Sequence, residues 1–145
     1  MRTRIWLLAG TLFALTATAG SLFFSLGLGL YPCDLCWYQR ILMYPLVPIL
    51  GVAAYEERVG VYRTALPLAV AGLALATYHS YIQRAGTDGF CSVGGSCATI
   101  QWTSPILDLT IPNLSLVGFA LVTLTLVGMV RQAASAGSST SPVSG

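Results

Sequence analysis

Four cysteines carry the most reactive side chains of this sequence, and they fall into two close pairs. Cys33 and Cys36 form a C-x-x-C motif, and five residues separate Cys91 from Cys97. A C-x-x-C spacing can close a short disulfide ring and recurs in redox proteins. The pattern therefore predicts two dithiol/disulfide couples. Two purely structural disulfides remain an alternative, and so does a zinc site, although the longer second spacing differs from a usual zinc knuckle.

The residues next to Cys36 favour its thiolate, which is the nucleophilic form of cysteine. Cys36 lies where a helix is predicted to begin, near unpaired N–H groups and the positive end of the helix dipole. Arg40 follows one turn later on the same face, whereas the carboxylate of Asp34 has the opposite effect. The second pair lies in a loop that is predicted to be mobile because it is rich in glycine, at positions 86, 89, 94 and 95. A mobile loop would let the second cysteine pair contact a partner protein first and the C-x-x-C pair afterwards.

The composition excludes most classes of soluble protein. Of 145 residues, 55% are hydrophobic and 8% are charged, and the mean hydropathy is +0.74. A water-soluble domain carries roughly 25% charged residues, so this chain could not cover its own surface with polar groups. A net charge of +2 spread along the sequence also excludes a nucleic-acid binder, which needs clustered positive charge. The chain is therefore predicted to lie in membrane lipid.

Four apolar stretches are long enough to cross a bilayer, which takes about 20 residues in a helix. They cover residues 5–30, 37–55, 64–82 and 114–130, and two prolines and a glycine predict a kink in the second. The predicted fold is an all-α, polytopic membrane four-helix bundle formed by residues 1–131. Residues 132–145 have the composition of a flexible tail.

The arginines predict the orientation of the bundle. Five of the seven lie at one side of the predicted spans, and only Arg40 and Arg84 lie at the other. By the positive-inside rule both termini are cytoplasmic, and the two cysteine-bearing loops are extracytoplasmic, where disulfides persist. A cleaved signal peptide ending near Ala19 is an alternative for the N-terminus, but the apolar run continues to Leu30 without a break. Either interpretation leaves the first cysteine pair outside.

Two redox-active pairs need an acceptor for two electrons, and the sequence narrows its class. It has no cysteine in the predicted cytoplasmic loop or tail, no glycine-rich dinucleotide fingerprint and one histidine. These absences favour a lipid-soluble quinone, menaquinone or ubiquinone, that reaches Cys36 from the bilayer. Arg40 supplies a permanent cation at that depth, and His79 supplies a hydrogen bond and a titratable group. A structural role between helices is the alternative for His79, and nothing in the sequence indicates a metal.

The run YPCDLCWYQRILMYP at residues 31–45 closely resembles the signature of the DsbB/BdbC family of bacterial membrane thiol:quinone oxidoreductases. The resemblance extends over the four spans and both cysteine pairs. Gln39 and the short spacing between Cys91 and Cys97 are more similar to the BdbC branch. The resemblance implies a protein of the bacterial cell membrane that reoxidises a DsbA/BdbD-like thiol oxidase of thioredoxin fold, and so sustains disulfide bond formation.

The resemblance also implies a role for each cysteine. Cys33 and Cys36 are the expected quinone-linked couple, with Cys36 nearer the ring. Cys91 is expected to form the mixed disulfide with the partner protein, and Cys97 to exchange with Cys33.

Two polar residues complete the expected site. Arg40 matches the quinone-contacting arginine of the family, and the spacing of His79 matches its quinone-proximal histidine. Two other functions stay open on the residues alone. One is a reductase that runs electrons in the opposite direction, and the other is a non-catalytic membrane protein with structural disulfides.

Overall fold

The computed structural model of the protein describes residues 2–87, 91 and 97–138. Within these ranges the fold is all-helical, and Thr103 and Thr110 make one isolated antiparallel bridge. Four helical segments are long and apolar enough to span a membrane, namely Arg2–Gly27, Asp34–Glu56, Val59–Ala85 and Ile111–Ser138. The predicted four-helix membrane bundle is therefore confirmed.

The first span is a regular helix, α1 (Arg2–Leu22), that widens into a π-helical turn over Phe23–Gly27. In that turn the Leu28 N–H donates to the Phe23 carbonyl at 3.1 Å. The helix stops before Gly29, whose φ of +67° is accessible to glycine and strained for other residues. The helix thus ends near residue 27, whereas the sequence predicted a span up to residue 30.

The second span consists of two helices, α2 (Asp34–Met43) and α3 (Leu46–Glu56). Pro45 lies between them, where its missing N–H and its ring interrupt the helical hydrogen bonds. The predicted kink is thus located at this proline. Because α2 begins at Asp34 and not at the predicted residue 37, Cys33 is its N-cap residue and Cys36 lies inside its first turn.

The third and fourth spans are long helices, α4 (Tyr62–Ala85) and α5 (Ile111–Ser138). Residues 132–138, which were predicted to belong to a flexible tail, continue α5. This stretch contains three alanines, which are the strongest helix formers. Gln132 is also held by α1, because the Trp6 indole N–H donates to its side-chain oxygen at 2.6 Å. The rest of the predicted tail, 139–145, lies outside the described residues.

The spans pack closely through small residues. A Cβ atom at Gly72 of α4 would lie 2.0 Å from the ring of Phe119 on α5, which is fully buried. Gly10 of α1 approaches the Thr125 hydroxyl in the same way, at 3.1 Å from the position of a Cβ. Small residues at helix contacts are what lets membrane helices approach each other. α1 is therefore an integral part of the core.

The last loop folds back over the end of the bundle where α2 begins. The Gln101 side-chain N–H donates to the Tyr31 carbonyl at 3.0 Å, and the ring of Trp102 lies 4.9 Å from that of Phe24 between centroids. These contacts tie the loop to the segment that precedes the C-x-x-C motif. They bring the two cysteine pairs to the same place.

Candidate active site

Both cysteine pairs lie at the same end of the bundle. Cys33 and Cys36 flank the start of α2, and 2.8 Å separates their sulfurs. Both are thiols, whereas Cys91 and Cys97 form a disulfide. Cys33 is 8% exposed and Cys97 is 1% exposed, so the contact between the pairs is shielded from solvent.

The loop before the second pair begins at a glycine. Gly86 ends α4 with a φ of +65°, and the next N–H, that of Thr87, donates to the Ile82 carbonyl at 3.3 Å. The glycines at 89, 94 and 95 lie outside the described residues, so the mobility inferred from them stays a prediction.

The two pairs are within reach of each other. The sulfurs of Cys33 and Cys97 and a ring nitrogen of His79 all lie within 4.8 Å of one another. Exchange between Cys97 and Cys33 therefore needs only a small movement. The same three side chains could act as metal ligands, but the disulfide occupies the Cys97 sulfur.

A large apolar cavity opens beside Cys36. It has a volume of about 380 Å³ and lies between α1, α2 and α5. Cys36 is the one cysteine among its described lining residues. The polar side chains that line it are Thr16, Ser21, Ser25, Gln39, Arg40, Tyr44, Gln101 and Ser115. The cavity therefore gives an apolar ligand access to one sulfur of the C-x-x-C pair.

Arg40 is held at the wall of this cavity by the first span. One guanidinium nitrogen donates to the Ser21 carbonyl at 3.0 Å and to the Ser25 hydroxyl. The guanidinium carbon lies 5.5 Å from the centre of the Trp37 ring, within cation–π distance. These contacts hold a permanent positive charge on the same cavity wall as Cys36.

His79 is a buried neighbour of Cys33 and is 2% exposed. Its Nε2 atom lies 3.7 Å from the Cys33 sulfur and 3.3 Å from the Cys97 carbonyl oxygen, and its Nδ1 atom lies 3.2 Å from the side-chain nitrogen of Gln39. His79 is not among the described residues that line the large cavity. The structure thus brings His79 to the contact between the two cysteine pairs, whereas the sequence had grouped it with the quinone site.

Hydrogen bonds converge on the sulfur of Cys33. The hydrogen bond with the Cys36 side chain has the largest influence on the pKa of Cys33. Together with bonds from His79 and the Cys36 backbone, it lowers this pKa from 9.0 to about 4. Burial of Cys33 acts in the opposite direction. An N-cap side chain faces the free N–H groups of the first helical turn, which favour a thiolate. The sequence favoured a thiolate at Cys36, but the start of α2 places Cys33 in this position.

Sequence reasoning missed the polar residues that hold Arg40 and His79. Ser21 and Ser25 are four residues apart and therefore lie on one face of the first span, a spacing that could have indicated a polar contact with another helix. Gln39 is 6% exposed although it belongs to a membrane-spanning helix. A buried amide needs a hydrogen-bond partner, and that requirement is the signal that could have linked Gln39 to His79.

Comparison with known proteins identifies the class. The family of the disulfide bond formation protein DsbB matches residues 3–129. Disulfide bond formation protein C of Bacillus subtilis is 42% identical over 128 residues, which cover 84% of this chain and 91% of that protein. A probable disulfide formation protein of Deinococcus radiodurans is 43% identical over 144 residues, which cover 90% of each chain. No solved structure matches this chain.

The chain belongs to the DsbB family. It is a multi-pass membrane protein with a disulfide oxidoreductase role in disulfide bond formation. The expected similarity to the BdbC branch is confirmed, because relatives at about 42% identity carry the name disulfide formation protein C, in Bacillus anthracis as well as in Bacillus subtilis.

Proposed function

We propose that this protein reoxidises an extracytoplasmic partner of thioredoxin fold, of the DsbA/BdbD type, and passes the electrons to a membrane quinone. One observation carries the proposal: the two thiols of the C-x-x-C motif have different neighbours. Cys36 lines the apolar cavity, whereas Cys33 lies beside Cys97 of the second pair. A single pair of sulfurs thus connects a site for an apolar acceptor with a disulfide that a partner can reduce.

The chemistry of the cavity fits a quinone. Pockets for small molecules are typically about 300–1,000 Å³, mostly apolar, with a few polar groups that orient the ligand, and this cavity of about 380 Å³ has that character. Arg40 and Tyr44 line it and carry N–H and O–H donors that could hold the quinone carbonyl oxygens. A bound quinone, menaquinone or ubiquinone, would accept two electrons and two protons as the Cys33–Cys36 disulfide forms.

The electrons reach the C-x-x-C pair by thiol–disulfide exchange. A thiolate of the reduced partner attacks Cys91, forms a mixed disulfide and releases the Cys97 thiolate. Cys97 then attacks Cys33 in the Cys33–Cys36 disulfide, which forms a Cys33–Cys97 bond and releases the Cys36 thiolate.

Two further exchanges complete the transfer. The second thiolate of the partner closes the partner's own disulfide and releases Cys91. Cys91 attacks Cys97, which restores the Cys91–Cys97 bond and leaves Cys33 as a thiolate. Each step forms one S–S bond and breaks another, so the partner loses two electrons and the C-x-x-C pair gains two. These steps leave the first pair reduced and the second pair oxidised.

The distribution of charge supports an orientation in a bacterial cell membrane with both termini in the cytoplasm. Arg58 lies between the second and third spans and Arg63 lies in the first turn of α4. The contact of Trp6 with Gln132 brings the first and last helices together at the ends that carry the other three arginines. The cysteine pairs belong to the opposite ends of the same helices. By the positive-inside rule the cysteines then face the extracytoplasmic side.

Quinone reduction by the purified protein tests this function. The protein is supplied with a reduced thioredoxin-fold partner and a quinone, and quinone absorbance is followed. Cys36→Ser is expected to abolish turnover. Arg40→Ala is expected to raise the KM for quinone by roughly tenfold, the loss of one charged hydrogen bond, with the KM for the partner unchanged. Arg84→Ala is the matched control, because Arg84 is exposed and does not line the cavity. Undiminished turnover of Cys36→Ser would refute the proposal.

Thiol labelling in intact cells tests the orientation. A membrane-impermeant maleimide added to reduced cells is expected to label the cysteines, whereas inverted membrane vesicles are expected to protect them. Labelling only in the inverted vesicles would overturn the proposed topology.

A further inference from the structure

The proposed cycle leaves one buried polar group without a task. His79 lies beside Cys33 and Cys97 and away from the large cavity, with Gln39 on its other side. A neutral histidine has one N–H and one bare nitrogen, and its chemistry depends on which nitrogen carries the proton. The neighbours of the ring decide between the two tautomers.

The Cys97 carbonyl assigns the proton of His79 to Nε2. A carbonyl oxygen can only accept a hydrogen bond, so the 3.3 Å contact between this oxygen and Nε2 is favourable only when Nε2 carries the hydrogen. Nδ1 is then bare and needs a donor. The side-chain NH₂ of Gln39 lies 3.2 Å from it and is buried with it. The two contacts are consistent with one tautomer, Nε2–H.

We propose that Gln39 is a positioning residue that holds His79 in the Nε2–H tautomer, so that this N–H is available to the Cys33 sulfur. The inference rests on the proposed function and deepens it. Nε2 lies 3.7 Å from the Cys33 sulfur, and a hydrogen bond to a thiolate is stronger than one to a thiol because the acceptor is charged.

The step that this N–H assists is the release of Cys33. When Cys91 attacks Cys97 in the Cys33–Cys97 disulfide, the Cys91–Cys97 bond forms, the Cys97–Cys33 bond breaks and the electron pair stays on Cys33. No proton moves in this step. The His79 N–H stabilises the negative charge of the leaving sulfur. His79 does not act as a base towards Cys33, because its bare nitrogen faces Gln39.

Nitrogen NMR of the full-length protein tests the tautomer directly. The chain has one histidine, so selective ¹⁵N-histidine labelling gives the two ring nitrogens of His79 alone. The expected spectrum has a protonated Nε2 and a bare Nδ1. Gln39→Glu is expected to place a proton on Nδ1, because a carboxylate only accepts hydrogen bonds. Gln39→Met, which removes the donor and keeps a similar length, is expected to give a mixture of tautomers.

Gln83→Met is the control for the spectrum. Gln83 lies on the same helix as His79 but directs its amide to the Thr99 carbonyl, so the substitution is expected to leave the His79 signals unchanged. A proton on Nδ1 in the unaltered protein, or a Gln39→Glu spectrum identical to it, would overturn the assignment.

The rate of disulfide exchange is the second readout. In quenched-flow experiments that mix protein carrying both disulfides with a reduced partner and no quinone, Gln39→Met is expected to slow the resolution of the Cys33–Cys97 disulfide by roughly twofold, because only part of the tautomer mixture then offers the Nε2 N–H to the Cys33 sulfur. An unchanged rate in a variant whose tautomer has changed would refute the role of His79. Because the assay contains no quinone, failure of the quinone proposal would leave both readouts intact.

Discussion

Acid titration of the C-x-x-C dithiol tests which sulfur carries the negative charge. The hydrogen bond with Cys36 is the largest cause that lowers the pKa of Cys33, from 9.0 to about 4. Because this pKa is lowered, the Cys33 thiolate persists above about pH 4 and is lost as the pH falls through that value. At pH 7 a thiol with that pKa has roughly 1,000 thiolates for each protonated thiol, whereas a cysteine with a pKa of 9.0 is about 1% thiolate.

The measurement needs a protein in which the first pair supplies the only thiols. Cys91→Ala and Cys97→Ala together provide it, and they keep the Cys97 carbonyl that contacts His79. Thiolate is followed by its ultraviolet absorbance, as the difference between reduced and oxidised protein. In this background a titration step near pH 4 is expected. Adding Cys36→Ala is expected to move the step several pH units towards 9.0, because the largest lowering influence is removed.

Two results would refute this assignment. One is a step near pH 4 that survives Cys33→Ala in the same background, which would place the thiolate on Cys36. The other is a step that Cys36→Ala leaves in place, which would show that the hydrogen bond between the two sulfurs does not set the pKa of Cys33. Cys36→Ser is the matched control, because its hydroxyl keeps a donor at this position and is expected to give an intermediate midpoint.

Substitutions at the cavity wall and in the core test the packing around the site. Ser25→Ala removes one of the two acceptors that the first span offers to the Arg40 guanidinium, and it is expected to raise the quinone KM about threefold. An effect as large as that of Arg40→Ala would contradict a supporting role for Ser25. Gly72→Ala places a Cβ 2.0 Å from the Phe119 ring and is expected to destabilise the fold by about 1–3 kcal/mol, measured by unfolding in detergent. Gly60→Ala is its control, since no atom beyond its chain neighbours lies within 4 Å of the added Cβ, and equal stability of the two variants would argue against the close contact at Gly72.

The four spans could be predicted because crossing a bilayer depends on local composition. An uninterrupted apolar stretch of sufficient length is visible without knowledge of its neighbours, and the interruption of the second span follows from the covalent structure of Pro45. The gathering of both cysteine pairs at one end also follows from the order of the spans, because every second loop of a bundle lies on the same side. These features need no information about which helix faces which.

The details of the site depended on contacts between distant parts of the chain. Gln39 and His79 are 40 residues apart, and no local pattern pairs them. The sequence placed Cys36 at the start of the second helix, whereas α2 begins at Asp34 and makes Cys33 its N-cap residue. A shift of one helical turn decides which cysteine faces the free N–H groups, and helix ends are the least certain part of a sequence-based assignment.

The geometry of α2 explains how one short motif can contact both the second cysteine pair and the large cavity. Consecutive residues of an α-helix point about 100° apart. Gln39 therefore reaches His79 on α4, while the adjacent Arg40 reaches Ser21 on α1. Earlier in the same motif, Cys33 lies beside Cys97 of the second pair and Cys36 lines the cavity. The start of α2 thus borders both the second disulfide, through Cys33, and the cavity, through Cys36. In the proposed cycle the electrons therefore move from one to the other within a single C-x-x-C pair.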